Sequence, residues 1–300
     1  MKKILFYTQN RWAFGSLHHG LIKELYKHNI YGDLLDWTQQ YTLEEFDLLI
    51  KTYDIFVTMP EAVMHLHNVY KVPLNKIIAV AHEQWDLYLA SKEHGIDFYN
   101  EIKGYSVISK ILVDTSKNLG ITRIPKITES GICVDNFYME PSQSLTSVGF
   151  GGETSKANFF GVDRKRGHLV KKAIESIDIK LVTHGFYHYM CMPAYYKTLD
   201  CIIVSSSEEA GGMPALEAAA AGRLVISTPL GYFEHNGPKG GGIVVPVEED
   251  AFVQKTKETI LYYKNNPSAH KEKCESIQQF ARDNYDWSFK VASWIELFGL

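Results

Sequence analysis

The sequence has few cysteines, no long apolar run and no strong excess of charge. Its four cysteines include no Cys-x-x-Cys pair, so we expect neither a zinc site nor a disulfide framework. No apolar stretch approaches the ~20 residues that a membrane-spanning helix needs. The formal net charge of -4 argues against a general nucleic-acid coat. Together these absences predict a protein of the reducing cytoplasm without a transmembrane segment.

The sequence also lacks the motifs of two other kinds of active site. It has no Asp-x-Asp, the usual holder of a metal-bound diphosphate, and no Gly-x-Ser-x-Gly hydrolase elbow around Ser205. The histidines at His65, His67 and within His184–His188 have no Cys, Asp or Glu nearby to complete a recognisable metal site. We therefore expect a chemistry that needs no metal and no cofactor.

Alternating strand and helix patterns run through both halves of the chain. Its 300 residues suit two domains of about 150 residues each. Apolar strand patterns at Ile4–Thr8, Ile55–Thr58 and Ile77–Ala81 alternate with helical patterns, and a second series begins at Ser147, after the polar, linker-like segment Glu140–Ser144. Such alternation predicts parallel sheets with helices on both faces. The expected fold class is α/β, with two Rossmann-like domains facing a cleft.

Two glutamates eight positions apart, Glu209 and Glu217, bracket a glycine-rich loop between a strand pattern and an Ala-rich helix pattern. Pro214 suits the first helical position, because its missing N–H would be unpaired there anyway. Three amides would then point at a ligand above the helix start, those of Gly211, Gly212 and Met213. A helix start of this kind attracts phosphate. With a carboxylate on either side, the loop fits the diphosphate and the hydroxyls of a nucleotide-sugar.

A basic group, Arg164-Lys165-Arg166, precedes the helix predicted from Gly167. A diphosphate leaving group gains negative charge, which fixed cations stabilise. Arg offers a bidentate fork and Lys a point charge. We therefore expect phosphate binding by Arg166 and also by Lys165, with a solvated basic helix start as the alternative.

Two further candidates lie in the first half. Gly15 falls between the first strand and the first helix, where an ordinary tight turn is the alternative to a ligand-binding turn. His82 follows the strand Ile77–Ala81, at the end of the sheet where ligands bind. A structural histidine is the alternative there, since lone histidines are more often structural than catalytic.

Several motifs occur together in a specific order. They are "D-x-x-x-x-S" at 200–205, "E-A-x-A-x-G" at 217–222, "T-x-x-G-x-x-E" at 228–234, Gly131–Phe137 and the pair Asp286-Trp287. In this order they resemble the retaining glycosyltransferases of the GT-B fold, in particular glycosyltransferase family 4 (glycosyl transferases group 1). The resemblance implies residues 1–142 as an N-terminal acceptor domain and 143–285 as a C-terminal nucleotide-sugar donor domain. Residues 286–300 would form a helix that crosses back onto the first domain.

The resemblance implies a hexosyltransferase that moves a sugar from a UDP or GDP type donor to a hydroxyl acceptor, a saccharide by preference, with retention of configuration. It implies that Glu217 grips the ribose hydroxyls and that Glu209 approaches the transferred sugar. The amides of Gly211, Gly212 and Met213 would hold the donor. His82 would touch the donor sugar, and Gly15 would let the backbone approach the diphosphate.

Two alternatives stay open at the sequence level. The first strand of the second domain ends in Gly149-Phe-Gly-Gly152 without the Arg that the family usually has there. A nucleotide-sugar binding protein without turnover is therefore one alternative. The other is a phage-type DNA base glycosyltransferase, which the basic stretch Arg164–Lys172 permits and the net charge does not favour.

Overall fold

The computed structural model of the protein describes residues 1–10, 12–152, 163–183, 189–231 and 241–300. The chain forms two compact units. The first comprises Met1–Gly131 together with Trp287–Leu300, and the second comprises Ile132–Asp286. Each unit contains one β-sheet with parallel strand pairing, accompanied by helices. The predicted α/β class with two parallel sheets is confirmed.

The first unit has a sheet of six strands in the order β2-β1-β3-β4-β5-β6. Its strands are β1 (Lys2–Thr8), β2 (Ile30–Asp36), β3 (Ile55–Thr58), β4 (Ile77–Ala81), β5 (Gly104–Val107) and β6 (Lys126–Ile127). Its helices are α1 (Trp12–Lys27), α2 (Leu43–Thr52), α3 (Pro60–Asn68), α4 (Gln84–His94), α5 (Phe98–Glu101), α6 (Lys110–Asn118) and, at the end of the chain, α13 (Trp287–Phe298). Every residue of β3, β4 and β5 is buried, as expected for parallel strands covered on both faces.

The second unit has a sheet of five strands in the order β11-β10-β9-β7-β8. Its strands are β7 (Ser147–Phe150), β8 (Lys180–Val182), β9 (Cys201–Val204), β10 (Leu224–Ser227) and β11 (Ile243–Val244). Its helices are α7 (Val134–Phe137), α8 (Gly167–Ile174), α9 (Met192–Lys197), α10 (Met213–Ala220), α11 (Glu249–Asn265) and α12 (Pro267–Tyr285). Short 3-10 turns occur at Leu74–Lys76 in the first unit and at Tyr189–Cys191 in the second.

The terminal helix α13 packs within the first unit through its predicted apolar stripe, in which Trp287 and Trp294 are almost fully buried. Two glycines make room for Trp287. A Cβ added at Gly20 would lie 2.3 Å from its Nε1, and one at Gly131 would lie 2.7 Å from its Cδ2. The helix is therefore part of the first unit's core, although it follows the second unit in the chain.

The chain passes from the first unit to the second earlier than the sequence indicates, and it returns at Trp287, within one residue of the expected position. The sequence places the boundary after residue 142, whereas the first unit ends at Gly131. The Ile132 amide donates to the Tyr285 carbonyl at 2.8 Å, and Ile132 forms a parallel bridge with Asp286, so both ends of the second unit lie side by side. The second unit therefore begins before the polar segment at 140–144.

The polar segment Glu140–Ser144, predicted as a linker, is bound into the second unit. The hydroxyl of Ser142 donates to Oδ1 of Asp200 at 2.8 Å. The same carboxylate accepts from the amides of Thr146 and Ser147, each at 2.9 Å. These bonds hold the pKa of Asp200 below its usual range, against burial, which raises it. A polar, turn-rich composition is typical both of a linker and of a hydrogen-bonded segment that leads into a strand. The contacts with Asp200 show that Glu140–Ser144 is the second kind.

None of the helices in the described part of the chain is both long enough and apolar enough to cross a membrane.

Candidate active site

The candidate site of the second unit lies at the carboxyl ends of three neighbouring strands. In the sheet, β9 lies beside β7 although β8 comes between them in the chain, so the direction of winding reverses there. Open parallel sheets bind ligands outside the carboxyl ends of their strands at such a point. Gly152 follows β7, the loop 205–212 follows β9, and Thr228 follows β10.

The loop before α10 depends on two glycines. Gly212, the residue before the helix, has φ 109° and ψ 48°, in the left-handed region that favours glycine. Gly231, in the turn after β10, has φ 62°, and a Cβ there would lie only 1.9 Å from the Gly211 carbonyl oxygen. The turn after β10 can therefore approach the loop only because residue 231 has no side chain.

The start of α10 presents backbone amides as the sequence predicts, with a shift of one position. The helix begins at Met213 with Pro214 second, rather than at Pro214. No described residue accepts a hydrogen bond from the amides of Gly211, Gly212 or Met213. The first N–H groups of a helix have no partner within it and carry a partial positive charge. The opening before Pro214 is thus suited to an anion.

Glu209 and Lys165 form an ion pair at this opening. Nζ of Lys165 lies 2.5 Å from Oε2 of Glu209, and the Ser206 hydroxyl donates to the same oxygen at 3.1 Å. The side chain of Lys165 is 21% exposed and that of Glu209 is 9% exposed. Burial raises the pKa of Glu209, but the charges of Lys165 and Arg164 and the two hydrogen bonds outweigh it, so the pKa lies below its usual value. Glu209 is therefore ionised at neutral pH.

Arg166 is bound to the protein's own backbone. Its guanidinium donates to the carbonyls of Ser205 at 2.7 Å, Val247 at 2.6 Å and Ser206 at 3.3 Å. The residue is 6% exposed and adopts a left-handed conformation with φ 50° at the start of α8. Arg166 and Lys165, predicted as a joint cationic site, thus have different surroundings, and in this structure Lys165 is the one next to Glu209.

Glu217 lies in α10 and is 3% exposed. The Tyr196 hydroxyl donates to its Oε2 at 2.8 Å. Burial raises the pKa of Glu217 to about 7, although the bond from Tyr196 lowers it. At neutral pH this carboxyl group therefore changes charge readily, whereas Glu209 does not.

Comparison with known proteins identifies the architecture and the class of enzyme. Residues 154–261 match the family model described as Glycosyl transferases group 1. The structure of HepE from Anabaena in complex with UDP-glucose is similar to this chain over 100% of both chains, with a TM-score of 0.72 and 14% identity. The catalytic domain of Starch Synthase IV from Arabidopsis thaliana, bound to ADP and acarbose, has a TM-score of 0.70 and 13% identity over 100% of this chain and 99% of that one.

The protein is a glycosyltransferase with the GT-B fold. A glycosyltransferase from Rickettsia africae is also similar, with a TM-score of 0.65 and 15% identity over 99% of this chain and 98% of that chain. No curated protein sequence matches the chain. The predictions of enzyme class and fold are confirmed.

In the first unit of this glycosyltransferase, His82 lies directly after β4, at the strand end where the sequence places it. Its ring lies 5.1 Å from that of Phe14 and 6.0 Å from that of His18, edge-on to both. Burial lowers the pKa of His82 to about 4, so its imidazole is uncharged at neutral pH. The catalytic role of His82 stays a prediction.

Gly15 lies elsewhere than the sequence indicates. The expectation of a turn before the helix is wrong, because α1 begins at Trp12 and Gly15 is inside its first turn. The proximity of Gly15 to a ligand stays a prediction.

Sequence reasoning did not identify three residues that shape this site. Tyr196 is hydrogen-bonded to Glu217, Ser206 to Glu209, and the Thr228 hydroxyl donates to the Ser206 carbonyl at 2.9 Å. Tyr196 opens the stretch, residues 196 to 234, that resembles the family, and Thr228 opens one of the motifs within it, so both positions were a signal in the sequence. Which atoms they would contact depends on the meeting of strand ends, which the sequence does not display.

Some predicted residues lie outside the part of the chain that the structure describes. The histidine segment 184–188 and Glu234, the last residue of the "T-x-x-G-x-x-E" motif, lie outside the described residues. Among the residues that the structure does describe, no group of three or more His, Cys, Asp or Glu side chains is placed to hold a metal ion.

Proposed function

We propose that this glycosyltransferase moves a sugar from a nucleoside diphosphate sugar to a hydroxyl acceptor, with retention of configuration and without a metal ion. One observation carries the proposal. The Lys165–Glu209 ion pair lies at the sheet's switch point, where Glu209 also belongs to the loop that leads into the amide-rich start of α10. This opening offers a cation and N–H donors for a diphosphate, and a carboxylate for sugar hydroxyls.

The ligands of similar structures support a nucleotide-sugar donor. HepE from Anabaena was crystallised with UDP, with UDP and glucose, and with UDP-glucose, and Starch Synthase IV with ADP and acarbose. TarM from S. aureus was crystallised with UDP, alpha-GlcNAc-glycerol and Fondaparinux. By analogy, the donor here is a nucleoside diphosphate sugar of the UDP, GDP or ADP type, and the acceptor is a saccharide or another polyol.

Departure of the diphosphate is the step that the basic and amide groups assist. As the glycosidic bond breaks, negative charge grows on the phosphate oxygens. The Lys165 ammonium, held close by Glu209, and the amides of Gly211, Gly212 and Met213 stabilise this charge without a metal. Arg166 contributes by fixing the loop through its carbonyl contacts, not by binding phosphate directly.

The two glutamates take different parts of the donor. Glu217 accepts hydrogen bonds from the ribose hydroxyls, since a carboxylate can accept two at once. Glu209, ionised at neutral pH, binds hydroxyls of the transferred sugar and stabilises positive charge at its anomeric carbon. A phosphate oxygen of the donor accepts the proton of the attacking hydroxyl, so the new bond forms on the face that the diphosphate leaves.

A thermal-shift panel tests donor binding first, with UDP-glucose, GDP-mannose and ADP-glucose against the free protein. A ligand that binds only the native state raises its melting temperature. We expect one donor to do so, and UDP, GDP or ADP release to follow in the presence of a saccharide panel. Binding without any release, in either the presence or the absence of acceptors, would favour a nucleotide-sugar binding protein instead. Salt-dependent binding to duplex DNA would favour the DNA-modifying alternative.

Substitution of the glutamates separates their roles. We expect Glu209→Ala to lower turnover about 100-fold while the donor dissociation constant changes little, since its contacts strengthen in the transition state. Glu217→Ala should weaken donor binding instead.

Two further measurements test the stereochemistry and the need for a metal. The proton NMR coupling of the product's anomeric hydrogen reports retention or inversion of configuration. Activity that is unchanged in excess EDTA is the outcome expected for metal-independent transfer.

A further inference from the structure

A buried serine hydroxyl binds one oxygen of the Glu209 carboxylate. Oγ of Ser206 donates to Oε2 of Glu209 at 3.1 Å, and Nζ of Lys165 lies 2.5 Å from the same oxygen. The other oxygen, Oε1, accepts no hydrogen bond from any residue that the structure describes. The carboxylate is therefore held through one oxygen, which leaves the second available to a ligand.

Ser206 is itself held by the protein and is closed to a ligand, because the residue is only 1% exposed. Its carbonyl accepts hydrogen bonds from the Thr228 hydroxyl at 2.9 Å and from the Arg166 guanidinium at 3.3 Å. Thr228 follows β10 and Arg166 directly precedes α8, so the serine is bound to two different elements of the second unit. Any effect of its hydroxyl on a ligand passes through Glu209.

The aliphatic stem of Glu209 is confined by two glycines. A Cβ added at Gly231 would lie 3.3 Å from Cγ of Glu209, and one added at Gly212 would lie 3.6 Å from the same atom. The turn after β10 and the loop before α10 therefore both lie along this stem. Glu209 is thus restrained along its stem by these two segments and at its tip by the Ser206 hydroxyl.

Lys165 is the weaker of the two anchors of the carboxylate. Its ammonium group ends a flexible four-carbon stem, and its side chain is 21% exposed. The diphosphate of the proposed donor would also attract this ammonium group. The Ser206 hydroxyl is on a short, buried side chain, so it can keep Oε2 of Glu209 in place while Lys165 moves toward the phosphates.

We propose that Ser206 is a positioning residue of this glycosyltransferase, which holds Oε2 of Glu209 so that Oε1 faces the hydroxyls of the transferred sugar. This inference rests on the proposed function, in which Glu209 binds that sugar. A carboxylate that is already oriented stabilises the transition state without first having to reorganise. Loss of the Ser206 hydroxyl should therefore lower kcat more than it weakens donor binding.

The kinetic test measures UDP release from UDP-glucose by the full-length protein. We expect Ser206→Ala to lower kcat about tenfold, the scale of one lost hydrogen bond to a charged group, with less than about a twofold change in KM. Ser206→Thr keeps the hydroxyl and should restore most of the activity. In a Glu209→Ala background, Ser206→Ala should have no further effect. An equal fall of kcat in both backgrounds overturns the proposal.

The matched control is Ser207→Ala, which removes the same hydroxyl one position further along the chain. In the structure this hydroxyl lies 3.4 Å from the Arg164 carbonyl, and it makes no hydrogen bond to Glu209. We expect kcat of this variant to stay within about twofold of the wild type. Circular dichroism and thermal unfolding check that each variant is folded.

A second test needs no turnover and follows the ionisation of Glu209 by NMR with carboxyl-¹³C glutamate. The Glu209 signal is the one missing from Glu209→Gln. The Ser206 hydrogen bond favours the charged carboxylate, so Ser206→Ala should raise the pKa of Glu209, whereas Ser207→Ala should not. Lys165 and Arg164, whose charges also lower this pKa, are the same in both variants.

The two tests separate this inference from the proposed function. A pKa of Glu209 that is unchanged in Ser206→Ala overturns the inference even if activity falls. If the wild-type protein does not turn over UDP-glucose, the proposed donor fails, while the titration still decides whether Ser206 holds Glu209.

Discussion

Adjacent basic residues, Lys165 and Arg166, have different surroundings, which separate the cation that we propose binds the diphosphate from a structural one. Lys165 is partly exposed and paired with Glu209, whereas Arg166 is buried against three carbonyl oxygens. Burial lowers the pKa of Arg166, yet arginine keeps its charge at any physiological pH. The guanidinium is thus a fixed cross-link between the strand ends.

We predict that Lys165→Met lowers turnover about 100-fold and weakens donor binding, because the diphosphate loses its nearest cation. The pKa of Glu209 should rise at the same time, since the positive charge of Lys165 does more than any other group to lower it. Steady-state kinetics and calorimetry with the donor measure both effects. Lys172→Met, which removes an exposed lysine paired with the exposed Asp250, is the control and should leave both unchanged.

Arg166→Met should act on stability instead. Loss of hydrogen bonds from a buried charged donor lowers the free energy of unfolding by about 3 kcal/mol. Chemical denaturation measures this loss. If Arg166 instead binds phosphate directly, as its sequence position suggests, donor affinity per folded molecule would fall as strongly as in Lys165→Met.

The ionisation of Glu217 predicts a pH dependence of donor binding. Its pKa of about 7 means that the carboxylate, which we propose binds the ribose, forms only as the pH rises through neutrality. Donor affinity should therefore increase from pH 6 to pH 8, and Glu217→Gln should remove the increase. Calorimetry with UDP-glucose suits this test, because its diphosphate does not ionise in that range.

The same pKa shift has a consequence for stability. The folded state binds the Glu217 proton more tightly than the unfolded chain does. This contribution to stability is therefore present at low pH and is lost as the pH rises from about 4.5 to about 7. Glu209 has a lowered pKa and contributes in the opposite sense, with stability lost as the pH falls below its usual value.

At the scale of elements, buried strands are the best predicted parts of this fold. The patterns at Ile55–Thr58 and Ile77–Ala81 coincide with β3 and β4, because continuous burial on both faces demands continuous apolar sequence. In contrast, β2 lies at the sheet edge, is mostly half-buried and includes Gly32, Asp33 and Asp36. Its mixed sequence resembles a loop, so only pairing with β1 identifies it as a strand.

The turn after β10 meets the loop before α10 at Gly231. Gly231→Ala introduces a Cβ that collides with the Gly211 carbonyl and strains a positive φ. We expect stability to fall by about 1–3 kcal/mol and donor binding to weaken, because the loop before α10 must move. Gly299→Ala is the matched control, since Gly299 has a similar φ of 74° and nothing within 4 Å of the added Cβ. It should cost less and leave donor binding intact.

At the scale of the whole molecule, the second unit is a continuous piece of chain with its own sheet and core. Its ends are joined by the Ile132–Tyr285 hydrogen bond and the Ile132–Asp286 bridge. We predict that a fragment of residues 132–286 folds cooperatively and binds the donor nucleotide with weakened affinity. Thermal unfolding with and without UDP tests this, and a fragment that unfolds without a transition contradicts it.

The first unit has the opposite construction, because it needs the last segment of the chain. Trp287 fills the space left by Gly20 and Gly131, and the Trp294 indole N–H donates to the Glu129 carbonyl at 3.2 Å. The apolar stripe of α13 is visible in the sequence, but the two glycines that receive it are far away in the chain. Why these two positions must be glycine is seen only in the packed structure, where a Cβ at either one would collide with Trp287.

By itself the sequence determined the α/β class, most buried strands, the terminal helix and the loop that carries Glu209 and Glu217. These follow from local periodicity, from glycine and proline positions and from motif order, all of which depend on near neighbours in the chain. Only the tertiary structure decided that Lys165 pairs with Glu209 and that Arg166 is held by carbonyls. It also decided that Asp86 holds the His82 turn. Such contacts join the ends of different strands and helices, and which donor meets which acceptor there depends on packing distances that no local pattern encodes.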